Sequence, residues 1–257
     1  MRRASAAVLL ALACAGCGSV TVQELPPAAG PPRSPATARP PDGETLRVGG
    51  TPERVAVDAR THVAAVATRG PDQRLLVDLR ARRVLRRVAL PEAPRRLAED
   101  DGGATTSDGG RLRVVLSARE RVLELYDATS RRRVARAAAG VGPTHVACLT
   151  RGSWCWVLDT RGDALLVFRV GDDDLELTRR VYLPGGPYGI AVDRPRGRLW
   201  VTLPGRNELV GLPAHGRPHV VARHATVRQP DSVAVDAATG QVVVTGRTDG
   251  LLQLVTP

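Results

Sequence analysis

The chain is expected to fold as an all-β protein, a β-propeller of five four-stranded blades, and three observations lead there. A seven-residue motif returns five times at near-even spacing. Each period holds four short β-like runs separated by turn residues. One further run stands alone ahead of the first period. Only 3% of the 257 residues are aromatic against 43% hydrophobic, so the core must come from Val, Leu and Ala, which suits short strands better than a helical bundle.

The motif is Pro, two variable residues, an aliphatic, Ala, an apolar or mixed residue, and usually Asp. It reads Pro52-Glu53-Arg54-Val55-Ala56-Val57-Asp58, then Pro94-Arg95-Arg96-Leu97-Ala98-Glu99-Asp100. It returns as Pro187-Tyr188-Gly189-Ile190-Ala191-Val192-Asp193 and Pro230-Asp231-Ser232-Val233-Ala234-Val235-Asp236, with a copy lacking the Asp at Pro143-Thr144-His145-Val146-Ala147-Cys148-Leu149. Successive prolines lie 42, 49, 44 and 43 residues apart, and a Gly-rich insertion at 101–110 accounts for the longest interval.

In the first unit the runs are 54–58, 62–68, 74–79 and 83–89; in the fourth they are 189–193, 198–202, 208–212 and 219–223. Breakers separate them and no helical period intervenes. The fifth unit holds only three runs, 232–236, 241–245 and 251–255. Residues 44–52 align with 179–187, so 45–48 is read as a displaced fourth strand that completes the last blade and spares the protein an open edge. Over roughly residues 44–257 these repeats resemble the YVTN/YncE-like β-propellers, relatives of the NHL-repeat proteins, through the shared Pro-x-x-aliphatic-Ala-Val-Asp strand entry. The resemblance implies a scaffold and assigns no activity.

Ahead of the repeats, residues 1–3 are basic and 4–13 form an apolar stretch too short to span a bilayer. Cys14-Ala15-Gly16-Cys17 follows and resembles a bacterial lipoprotein signal, with Ala15 and Gly16 before a lipid-modified Cys17; Cys14 stands where Leu is usual. An ordinary secretory leader is the alternative. The expected organisation is a signal peptide at 1–16, an anchor cysteine and Pro-rich tether at 17–43, and the propeller at 44–257. The tether carries Pro26, Pro27, Pro31, Pro32, Pro35, Pro40 and Pro41 and, fully extended, reaches up to about 70 Å. Localisation follows as the bacterial cell envelope, extracytoplasmic and held to a membrane by lipid, with secretion as the fallback, and the protein is read as a monomer.

Formal charge is +11, but the chain has no Lys, one Ile, one Asn and one Phe, all residues with AT-rich codons. Codon bias therefore accounts for much of the Arg content, and the aromatic residues that single-stranded nucleic acid would stack on are scarce. No nucleic-acid partner is expected. Beyond Cys17, Cys148 and Cys155 flank a hairpin turn at Arg151-Gly152 and would stand opposite each other, close enough for a disulfide in an oxidising compartment; two buried thiols are the alternative.

The entry loop before each first strand and the loop between the second and third strands share one face of a blade. The variable motif residues then rim a funnel, with Glu53, Arg54, Arg96, His145, Tyr188 and Asp231 as candidate ligand-binding groups. Arg69, Arg119, Arg161, Arg206 and Arg247, one per blade in the second-to-third-strand loops, would form a crown attracting carboxylates, phosphates or an acidic polymer. The motif aspartates Asp58, Asp100, Asp193 and Asp236 are read as turn caps, and Trp154, Trp156 and Trp200 as packing residues.

No nucleophile elbow or phosphate-cradling loop is present, so no catalytic residue is assigned. His215, His219 and His224 lie around a fourth strand, away from the axis, and Asp172-Asp173-Asp174 reads as a solvated turn rather than a calcium loop. The expectation is a binding or scaffold module for an unknown protein, polymer or small anion, with no cofactor or metal. The alternative, implied by the resemblance, is a metal-dependent lactonase- or lyase-like enzyme using Glu53, His145 and Asp231 with a divalent cation; the sole Asn207 lies in a peripheral loop.

Overall fold

A computed structural model gives the fold and describes residues 25–91, 104–107, 112–149 and 153–257. Cys17, Arg96, Asp100 and the Arg151-Gly152 turn lie outside the described residues.

Each repeat unit forms an antiparallel four-stranded sheet. The first sheet comprises β2 (Thr51–Asp58), β3 (Val63–Arg69), β4 (Gln73–Asp78) and β5 (Arg83–Ala89). The second holds β6 (Ala104–Ser107), β7 (Leu112–Ser117), β8 (Val122–Asp127) and β9 (Arg133–Ala138), and the third β10 (Pro143–Cys148), β11 (Trp154–Asp159), β12 (Ala164–Val170) and β13 (Leu175–Tyr182). The fourth contains β14 (Ile190–Asp193), β15 (Arg198–Leu203), β16 (Glu208–Pro213) and β17 (Ala222–Ala225). The fifth joins β18 (Pro230–Val235), β19 (Val242–Gly246) and β20 (Leu251–Val255) to β1 (Glu44–Arg47), whose Thr45 faces Gln253.

Burial explains why short Val- and Leu-rich runs suffice. Middle strands are covered on both faces by the neighbouring sheets: β11 and β12 are almost wholly buried, whereas the fourth strands β5, β9 and β13 are mostly exposed. Each hydrophobic cluster lies between two sheets. Leu123 and Leu125 meet Val157 and Phe168, Trp156 and Leu165 meet Leu199 and Val201, and Trp200 meets Val233 and Val244. Val66 and Leu75 of the first sheet meet Val243 and Leu252 of the fifth.

The exposed fourth strands collect much of the arginine surplus. Arg136 reaches Glu120 at 2.9 Å and Arg223 reaches Glu208 at 2.7 Å as pairs on wet outer edges, while Arg133 reaches the buried Glu124 at 2.6 Å.

Two expectations need correction. The fourth strand of the fourth unit is 222–225 rather than 219–223, because Pro218 cannot donate to the ladder and His219 instead folds back, its Nδ1 lying 3.0 Å from the Arg217 carbonyl. The Pro-rich segment is also not a free tether along its described length. The Arg161 guanidinium lies 3.4 Å from the Pro27 carbonyl, Ser34 is buried, Asn207 Nδ2 donates to the Pro35 carbonyl at 3.1 Å, and Asp42 N–H donates to the Ala225 carbonyl at 3.0 Å. Pro32 packs where a Cβ on Gly186 (φ +64°) would stand, so the strap passes there only over a glycine.

Candidate functional site

The site is built by a repeated irregularity. In three sheets the residue after the motif proline is an extra one. Pro52 faces Thr68 and Arg54 faces Ala67, Pro143 faces Asp159 and His145 faces Leu158, and Pro230 faces Gly246 and Ser232 faces Thr245. Proline has no N–H to continue the ladder, and the bulge that results re-aims the side chains of Glu53, Thr144 and Asp231.

The next residues turn inward. Arg54, His145, Gly189 and Ser232 line a cavity of ≈ 220 Å³ together with Asp231 and the aliphatic residues behind them. The first strands β2, β18, β14, β10 and β6 follow one another side by side around it. Arg54 Nη1 lies 3.3 Å from His145 Nε2, and the Tyr188 ring meets the His145 ring edge-on at 4.7 Å between centroids. Ser232 Oγ accepts from the Val55 backbone N–H at 3.3 Å, stitching two first strands together.

A charge network sits at the edge of this cavity. Arg247 lies 3.2 Å from Glu53 and 3.3 Å from Asp231, and Arg69 lies 2.8 Å from Glu53. Burial pushes the Asp231 carboxyl above its ordinary range; the hydrogen bond from Gln229 and the charge of Arg247 offset only part of that, and Glu53 adds to the rise.

These contacts correct the uniform crown. Arg69 and Arg247 are engaged by Glu53 and Asp231, Arg161 reaches toward the strap, and Arg206 ends a 3₁₀ turn (Pro204–Arg206) with its alkyl stem over Gly185. Arg119 is exposed in the turn between β7 and β8. The structure therefore brings together Glu53, Arg54, His145, Tyr188 and Asp231 from the rim set, and spreads the loop arginines over different tasks. Away from the rim, His224 faces Asp42 at 3.4 Å, and Cys148 stands opposite Cys155 with Cα atoms 4.1 Å apart and sulfurs in bonding contact.

Sequence reasoning missed Gln229 and Asp159. Gln229 takes a left-handed backbone (φ 56°); its Nε2 donates to Pro32 O at 3.0 Å and to Asp231 Oδ1 at 3.1 Å, and its Oε1 accepts from Ser34 N–H at 3.0 Å. It couples the strap to the cavity. The signal was there: the same position before the motif proline is glycine at Gly142 and Gly186. Asp159, fully buried, accepts from the N–H groups of Val141, Gly142 and Gly162 and so fixes an entry loop.

The arrangement of the sheets matches a solved structure. The *Myceliophteria thermophila* Cps50 (Swd1) beta-propeller domain superposes with a TM-score of 0.68 at 11% identity, covering 85% of this chain and 100% of that one. The fold is a β-propeller. The dihydro-heme d1 dehydrogenase NirN in complex with DHE also resembles this propeller, with a TM-score of 0.53 at 20% identity over 78% of this chain and 42% of that one. A functionally unknown protein from *Desulfotomaculum acetoxidans* gives a TM-score of 0.50 at 12% identity, over 80% of this chain and 69% of that one. No protein-family model and no curated protein matches the chain by sequence. At these identities the likeness speaks for the propeller scaffold alone.

Proposed function

We propose that the protein is an extracytoplasmic, lipid-anchored propeller of five blades that binds a small anionic ligand in its central cavity, acting as a binding module rather than an enzyme. One observation carries the ligand class: two nitrogen-bearing side chains, Arg54 and His145, from different blades, converge on one cavity beside the Ser232 hydroxyl. Arg54 would offer a forked donor pair to a carboxylate or phosphate, and Ser232 a hydroxyl beside it. Five sheets, the packing of the fifth against the first, and β1 paired with β20 support a closed ring.

The docked strap bears on orientation. It touches the entry-end loops at Arg161, Gly186, Pro204 and Gln229, the same end as the cavity. With Cys17 lipidated, the ten residues to Pro27 reach no further than about 35 Å, so the cavity mouth is held toward the bilayer.

A thermal-shift panel of small carboxylates, phosphate and divalent metals on the chain from residue 25 tests the ligand class. A carboxylate or phosphate should raise the melting temperature, and Arg54→Ala should abolish the rise. A shift with a divalent cation, lost in Glu53→Gln or Asp231→Asn, would instead favour the metal-dependent lactonase- or lyase-like reading. Arg247 already stands between those two carboxylates, which speaks against it. No response at all overturns both and leaves a protein or polymer partner. Fractionation tests the anchor separately: Cys17→Ser should release the protein from the membrane.

A further inference from the structure

A second cleft of this propeller lies away from its centre. Between the third and fourth blades, β11, β12 and β13 and the loop that follows β16 enclose ≈ 350 Å³, against ≈ 220 Å³ at the centre. We infer that this interblade groove is a second binding site, for a small planar aromatic anion such as an aryl carboxylate.

The lining sets the ligand class. Trp154 supplies indole surface, and the buried Trp156 with Val167, Ala214 and Pro218 forms the apolar floor behind it. Arg179, His215 and Arg217 stand at the exposed mouth, and no Asp or Glu is among the lining residues. Elsewhere on the same two blades Arg169 meets Glu176, Arg180 meets Asp159, and Arg223 meets Glu208. Among the described residues no carboxylate pairs with Arg179 or Arg217. Two guanidinium groups without countercharge over an apolar floor leave a positive potential that a carboxylate answers by forked hydrogen bonds, while a flat ring stacks on indole. The volume suits one or two fused rings.

The groove is held open by the fold. Gly216 (φ +75°) makes the loop turn possible. Ala214 N–H donates to the Gly197 carbonyl at 2.8 Å on one shoulder, and His219 Nδ1 lies 3.0 Å from the Arg217 carbonyl on the other. Trp156 is itself 1% exposed and packed into the core between the blades, so that part of the floor does not depend on a ligand to order it.

The chain's three tryptophans make the test direct, because Trp200 lies elsewhere, beside His224. Indole N–H signals are followed by NMR while 2-naphthoate is added to the full-length protein. The Trp154 and Trp156 signals should move saturably and the Trp200 signal should not. Neutral 2-naphthamide should bind at least tenfold more weakly, as should naphthoate to Arg179→Gln/Arg217→Gln, whose two substitutions are on exposed side chains and leave the core intact. Arg54→Ala, at the central cavity, should leave the titration unchanged. Equal binding of naphthamide, retention of affinity in the double variant, loss of it in Arg54→Ala, or absence of saturable shifts overturns the site.

Discussion

His62 Nδ1 lies 2.6 Å from Asp236 Oδ2, with both residues buried, and this contact ties the turn after β2 to the turn after β18. It latches the first sheet to the one formed by β18, β19, β20 and β1, at the end opposite the cavity. Asp236 also caps its own turn, accepting from the Ala238 N–H at 3.1 Å and the Thr239 hydroxyl at 2.9 Å. Burial alone would raise this carboxyl; the hydrogen bonds from His62, Thr239 and Ala238 outweigh it and hold the carboxyl below its usual value.

Asp236→Asn should therefore cost about 1–3 kcal/mol at neutral pH, measured by chemical denaturation. A carboxyl lowered in the folded state gives stability that is complete above its unfolded value of 3.8 and lost as pH falls through the lower folded value. The gap between wild type and Asp236→Asn should accordingly narrow in that acidic window. A gap that stays constant down to pH 2 would mean that the latch does not depend on the carboxylate's charge.

The strap makes a second prediction. Ser34 Oγ donates to the Pro204 carbonyl at 2.6 Å and accepts from the Gln229 N–H at 3.0 Å, while Gln253 Nε2 donates to the Asp42 carbonyl at 2.7 Å. Ser34→Ala should cost about 1–2 kcal/mol, because it strands the half-buried Gln229 N–H and removes a donor from the Pro204 carbonyl. A chain beginning at residue 44 should melt well below one beginning at residue 25. Equal midpoints for the two chains would show that the docked segment contributes nothing.

How much of this was legible depends on which physical rule governs each part. Strand alternation and the motif proline repeat locally, so the units and the pairing partner of residues 45–48 could be read from order and spacing, although the first strand of the second sheet, Ala104–Ser107, lies inside the stretch read as a Gly-rich insertion. The convergence of Glu53, Arg54, His145 and Asp231 at one end could be read in the same way. What escaped was tertiary. Whether Arg69 and Arg247 face solvent or a carboxylate depends on the bulge after the proline, which no residue type announces on its own. A Pro-rich composition speaks against a packed core but not against docking on one, and the contacts of Ser34 and Gln229 span 195 residues. His219 was misassigned because β propensity outweighed the proline before it.

The facing cysteines carry a third prediction. Cys148 and Cys155 occupy a directly opposed cross-strand pair, and the loop that a bridge closes is short, with a sequence separation of seven. Thiol alkylation of protein purified without reductant should label neither residue until a reductant is added. Cys148→Ala/Cys155→Ala should lower stability by about 2 kcal/mol, the scale expected for so short a loop. Alkylation without reductant would establish two thiols instead.

The cavity network makes the last prediction, and its carboxyl Asp231 is shifted in the opposite direction to Asp236. Arg247 is the shared cation of Glu53 and Asp231, and Asp231 is 6% exposed. Arg247→Ala should cost about 1–3 kcal/mol at pH 7, below the value for a fully buried pair because the guanidinium side chain is 42% exposed. Burial raises Asp231 in the folded state, so the native form binds its proton first and gains on the unfolded chain as pH falls from the folded value toward 3.8. Losing the Arg247 charge raises Asp231 further, so the penalty of Arg247→Ala should shrink on acidification from pH 7 to pH 4. Adding Asp231→Asn removes the titrating group that burial raises, and most of the shrinkage should disappear with it. Denaturation of the single and double variants at pH 7, 5.5 and 4 measures both effects; a penalty that is flat with pH in the single variant would show that Asp231 is not the group Arg247 holds.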